Sequence, residues 1–145
     1  MEKKMNNKGF SMVELIIVIA IMAVLVVLAA PQYLKYVERG RNSTDQNNAT
    51  AIESAMLVWG SDTAAGESGT TAFSKDETGT KITVSSTGGV VEAGKTSTEA
   101  IKSALENANI DIANMKCQSK TKWTSYEITV KVDAEGNVST STEYK

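Results

Sequence analysis

Histidine is absent from this chain of 145 residues, cysteine occurs once and proline once. Each absence removes a class of chemistry. Without histidine there is no Ser-His-Asp triad and no imidazole metal site. One cysteine, Cys117, can form neither a zinc cluster nor an intramolecular disulfide. No G-x-x-x-x-G-K-[ST] loop occurs, so a nucleotide-phosphate cradle of that kind is excluded. The formal net charge of −2 gives no general nucleic-acid footprint. Little is left for an enzyme to work with, and no cofactor is implied.

What is present is a long apolar run. Residues 8–30 read KGFSMVELIIVIAIMAVLVVLAA, and from Leu15 to Ala30 no residue is polar. At about 1.5 Å per residue, the helix expected over residues 10–30 spans about 30 Å, the thickness of a bilayer core. Lys3, Lys4 and Lys8 precede the run, which places the N-terminus in the cytoplasm and the bulk of the chain outside. Glu14 is the anomaly. A carboxylate at mid-membrane costs about 2.5–3.5 kcal/mol on insertion scales, and less near the surface. It asks for a partner. A secretory signal peptide or a plain single-pass anchor leaves Glu14 unexplained, and the run is longer than a usual signal-peptide core.

KGFSMVEL resembles the processing motif of type IV prepilins, a basic leader ending in Gly, then Phe, with Glu four residues later. The resemblance is carried by residues 8–36. It implies that a prepilin peptidase cuts between Gly9 and Phe10 and methylates the new Phe10 amine. It implies that Phe10 and Glu14 guide assembly into a helical homo-oligomeric filament. An assembly ATPase, a membrane platform protein and minor pilins are the other implied partners. The chain is then a single-pass protein of the cytoplasmic membrane before assembly and part of a surface pilus afterwards. A pseudopilin of a secretion or DNA-uptake system, and a membrane-tethered binding protein that never polymerises, are the alternatives. Loss of residues 1–9 leaves 12 basic and 16 acidic side chains. Lack of a disulfide departs from many relatives in double-membrane bacteria and suggests the Gram-positive type. A buried, inert Cys117 is favoured over one paired between subunits.

Pro31 removes a backbone hydrogen bond and is expected to kink the helix, which resumes through Tyr33, Leu34, Tyr36 and Val37. Ile52, Ala55, Met56 and Trp59 share one helical face, and the helix should end near Gly60. Residues 39–48, RGRNSTDQNN, are its weakest part. Residues 61–79 read as a loop, residues 81–85 and 90–92 as strands, and Gly88-Gly89 as the turn between them. Thr96 and Glu99 have capping-box spacing and open a helix to about Ala108. Residues 122–132 alternate as a strand, residues 133–137 form a turn and residues 138–142 return as its partner. Asp133, Glu135 and Asn137 alternate as in a calcium turn, but hairpin turns favour the same residues, and no metal is assigned.

The expected fold is α+β, a long N-terminal helix packed on a small antiparallel sheet. The helix has a transmembrane half and an amphipathic half, kinked near Pro31. The divisions are a leader (1–9), a transmembrane or filament-core helix (10–30), its amphipathic continuation (31–60) and a C-terminal head (61–145).

Overall fold

A computed structural model describes residues 9–64 and 72–145. The leader residues 1–8 lie outside this description, as do residues 65–71 of the expected loop. The chain divides into two units, Met1–Val37 and Glu38–Lys145. One helix, α1 (Met12–Ala64), contributes to both.

In the first unit α1 begins with a reciprocal cap. The Ser11 hydroxyl accepts the Val13 N–H at 3.3 Å, and Glu14 Oε2 accepts the Ser11 N–H at 2.9 Å. Two donors that a helix start leaves orphaned are thereby satisfied. The apolar side chains that follow, from Leu15 to Leu28, are all exposed. The helix runs through Pro31. That residue lacks an N–H, so the Val27 carbonyl loses its usual donor.

In the second unit α1 presents a stripe of buried residues at alternating steps of four and three: Asp45, Ala49, Ile52, Met56 and Trp59. This is the core-facing pattern of an amphipathic helix. The polar stretch over 39–48 is helical throughout. Outward hydroxyls within and just beyond it bond back along the helix, Thr44 Oγ1 to the Gly40 carbonyl and Thr50 Oγ1 to that of Gln46. This consumes side-chain groups that would otherwise compete for the backbone.

The stripe packs on one face of an antiparallel sheet. Its strands are β1 (Asp76–Ser85), β2 (Gly88–Val91), β3 (Ser125–Val132) and β4 (Val138–Tyr144), ordered β2-β1-β3-β4. Ile82 pairs with Ile128 and Val84 with Tyr126, and all four side chains are fully buried. Alternation then turns Lys81, Thr83, Glu127 and Thr129 to the other face. Gly60 of α1 leaves room for Val138 of β4. A Cβ there would stand 2.5 Å from Val138 Cγ2, closer than two carbons can approach.

β1 starts at Asp76, inside the stretch expected to be loop. Asp76 Oδ1 accepts from Thr78 Oγ1 and the Gly79 N–H, and Oδ2 from Thr80 Oγ1. The carboxylate so braces an irregularity in the β1–β3 ladder. Gly79 makes it possible with φ +84. Composition alone reads these Gly, Thr and Asp residues as loop. The β1–β2 turn falls at Ser86-Thr87, and Gly88-Gly89 belong to β2.

The second helix, α2 (Thr98–Asn107), lays Ile101, Ala104 and Leu105 into the same core. Its expected Thr96–Glu99 box does not form. The N-cap is Ser97, and no side chain caps the helix. The Ser97 hydroxyl donates instead to the Ser74 carbonyl, a tertiary bond that outcompetes the local one. The β3–β4 turn is as expected, with Gly136 at φ +87.

Candidate functional site

The first candidate is the start of α1. Gly9, Phe10 and Ser11 precede the helix and are exposed, so the Gly9–Phe10 peptide bond lies in irregular backbone. A protease needs such backbone, because a helical bond must be unwound before it fits an extended cleft. Four residues on, Glu14 is exposed at the third helical position. It is joined to the Ser11 N–H, and among the described residues no hydrogen bond links it to Phe10. Phe10 is 87% exposed. Chemically, this is an accessible peptide bond in irregular backbone, with a carboxyl group within the first helical turn.

The second candidate was not foreseen from sequence. Glu38 and Asp45 stand seven residues apart on α1, on one face, and both reach the loop 117–123. Glu38 Oε1 accepts from the Lys120 N–H at 2.7 Å, the Thr121 N–H at 2.9 Å and Ser119 Oγ at 3.0 Å. Asp45 Oδ1 accepts the Gln118 N–H at 2.7 Å. Its Oδ2 accepts the Ser119 N–H at 2.9 Å, the Trp123 indole N–H at 2.8 Å and the Cys117 thiol at 3.4 Å. Four loop amides and an indole thus converge on two carboxylates, and hydrogen bonds to ionised acceptors are the stronger kind. One sequence signal was available. Asp45 heads an apolar stripe, and a fully buried carboxylate must be matched by donors.

This clamp sets the local electrostatics. The Lys120 backbone donor, with Thr121 and Ser119 outweighing some burial, lowers the Glu38 carboxyl to about 2. Burial, reinforced by the Asp45 carboxylate, pushes the Cys117 thiol up to about 11. Cys117 is therefore a buried, protonated donor within the clamp. Trp123 is held against Tyr144 of β4, with ring centroids 4.6 Å apart.

The calcium-like spacing resolves as turn chemistry. Asp133 Oδ1 accepts the Glu135 and Asn137 N–H groups, and Oδ2 accepts the Asn137 side-chain amide. Among the described residues no group of three potential ligands is placed to hold a metal ion.

Residues 4–30 match the family model described as the prokaryotic N-terminal methylation motif. The chain is similar to the fimbrial protein EcpC of Eikenella corrodens, 34% identical over 106 residues, which are 68% of this chain and 69% of that protein. It is 34% identical over 89 residues to the type IV major fimbrial protein FimA of Dichelobacter nodosus, covering 52% and 56% of the two chains. Prepilin peptidase-dependent protein A of Clostridium perfringens is 32% identical over 113 residues, covering 77% and 73%. No solved structure matches the chain significantly.

Proposed function

The chain belongs to the type IV pilin family, and from that premise we propose how its first residues work. It is a structural subunit of a type IV pilus, not an enzyme. Prepilin peptidase removes residues 1–9 by cutting the Gly9–Phe10 bond and methylates the Phe10 amine. The name of the clostridial relative, which makes that protein dependent on prepilin peptidase, supports this reading. Residues 10–30 then hold the subunit in the cytoplasmic membrane, with residues 31–60 continuing the helix and residues 61–145 completing the head outside.

Assembly exchanges lipid for protein around the apolar run. The observation that carries the reading is that every large apolar side chain from Leu15 to Leu28 is exposed, directly after an acid that a plain anchor does not need. In a filament core those side chains meet neighbouring helices. The Phe10 ammonium of one subunit and the Glu14 carboxylate of the next are each costly there alone, and pairing offsets both. Removing one partner of such a buried pair costs about 3–5 kcal/mol. The contact is heterologous, so repeating it builds an open helical fibre. Pro31 gives the helix a point of bending as the subunit leaves the bilayer. An assembly ATPase and a platform protein supply the work, and minor pilins join the same fibre.

Intact mass and N-terminal sequencing of the chain from its native cells test this. The expected result is an N-methylated Phe10 start. A start after Ala30, or an uncut Met1, would overturn it.

A further inference from the structure

The clamp places a basic surface at the end of the head where the chain joins the membrane run. Glu38 is the first residue of the second unit. Through it the loop 117–123 is bonded to that point of α1. Lys116, Lys120 and Lys122 project from and beside the loop, and all three are exposed. Among the described residues none of the three lies in an ion pair; Lys122 sits over the Trp123 ring, 4.9 Å from its centre. The acids on α1 that could neutralise them, Glu38 and Asp45, are spent on backbone donors and the indole. Glu127 and Glu143, near the same end of the sheet, are engaged by Lys145. A chain of net charge −2 thus carries three exposed lysines within seven residues, none in an ion pair among the described residues.

That place is tethered. Seven residues of chain lie between Ala30, the last residue of the apolar run, and Glu38, and as helix the eight steps span about 12 Å. The headgroup layer beyond a bilayer core is roughly 5–8 Å thick on each side. Tyr33 and Leu34, which are exposed, occupy the interval and suit the interface. Lysines within a Debye length of an anionic leaflet are attracted to it.

We propose that Lys116, Lys120 and Lys122 form a lipid-binding collar that seats the head of the unassembled subunit on anionic phospholipid headgroups. The inference rests on the membrane-anchored state described above. Extraction into the fibre must break the contact, so membrane charge tunes how readily subunits leave.

The test uses the full chain reconstituted into vesicles of phosphatidylcholine, with or without about 30 mol% phosphatidylglycerol to supply the surface charge. Flotation with the vesicles reports insertion. Acetylation by a neutral N-hydroxysuccinimide ester, read lysine by lysine by mass spectrometry, reports the collar. In phosphatidylglycerol vesicles Lys116, Lys120 and Lys122 should react at least about threefold more slowly than in phosphatidylcholine. Lys75 and Lys102 should be unchanged. Salt at about 0.5 M, where the screening length is under about 5 Å, should abolish the difference. In a Lys120→Glu/Lys122→Glu variant, Lys116 should lose its protection. Equal rates in the two lipids, or protection of Lys116 that survives the double substitution, would overturn the collar while leaving the anchor intact. A chain that fails to float would overturn both. If the double variant inserts with unaltered rates at Lys116 but assembles poorly, the lysines serve a neighbouring subunit and the lipid assignment falls.

Discussion

Asp45 on α1 accepts the Trp123 indole N–H at 2.8 Å, across 78 residues of sequence. The bond joins the helix to the loop that leads into β3, and it lies at the buried centre of a larger set. The same carboxylate holds two loop amides and the Cys117 thiol. Replacing Asp45 by Ala strands those donors in a site where Asp45 is fully buried. Leaving buried donors unsatisfied costs roughly 1–3 kcal/mol each, and three of these four are buried, so a loss of at least about 3 kcal/mol is expected. For a domain of this size that lowers the unfolding midpoint by about 10 °C or more. Thermal unfolding followed at the Trp signal measures it, and a shift of a degree or two would show that the clamp is not structural.

Glu38 gives the head an acid-sensitive contribution. Its folded-state carboxyl lies at about 2 against an ordinary 4.5. The stabilisation it brings is complete above 4.5 and is lost as the pH falls toward 2, because the unfolded chain binds the proton more readily. The stability difference between wild type and Glu38→Gln should therefore be constant above about pH 5 and shrink toward pH 2. Urea titrations across that range read it. A difference that stays flat throughout would place the stabilisation elsewhere.

Cys117 should be chemically silent in the native chain. With its thiol at about 11, only a small fraction is thiolate at neutral pH, and the sulfur is buried as well. Iodoacetamide at pH 8 should label it at least about a hundredfold more slowly in the folded chain than in urea. Labelling at the unfolded rate would mean that the loop opens freely.

Glu14→Ala should separate insertion from assembly. The variant loses the acceptor for the Ser11 N–H, a capping loss of about 1 kcal/mol, and its membrane run is otherwise unchanged. It should accumulate in the membrane and be cleaved, yet be missing from material sheared off the cell surface. Immunoblots of membrane and sheared fractions decide this. Normal fibre yield would remove Glu14 from the assembly contact.

The parts of this fold that announce themselves in sequence are those with a local period. Ile52, Met56 and Trp59 mark a helical face, and Tyr126, Ile128, Val130 and Val132 mark a strand, because burial repeats at 3.6 or 2 residues. The N-terminal site is equally local, since its residues lie within six positions of one another. What escaped notice depends on distant partners. Residues 39–48 appear too polar for a stable helix until the loop is seen bonded to Glu38 and Asp45. Asp76 belongs to β1 because Val132 pairs with it. Ser97 forgoes a side-chain cap because Ser74 is near. No window of sequence contains those pairs.

The clamp also bears on how the fibre behaves under load. A covalent staple holds a loop until the backbone itself fails, and reductants can undo it. A tie of amides on carboxylates does the reverse. It ignores thiols, yields at moderate tension and closes again when the tension drops, since every donor is still on the same chain. The segment after residue 117 carries β3 and β4, half of the sheet's strands. Because the ladders to β1 and between themselves still hold those two strands, release of the clamp frees only the loop over residues 117–123, a small and recoverable slack between α1 and the sheet.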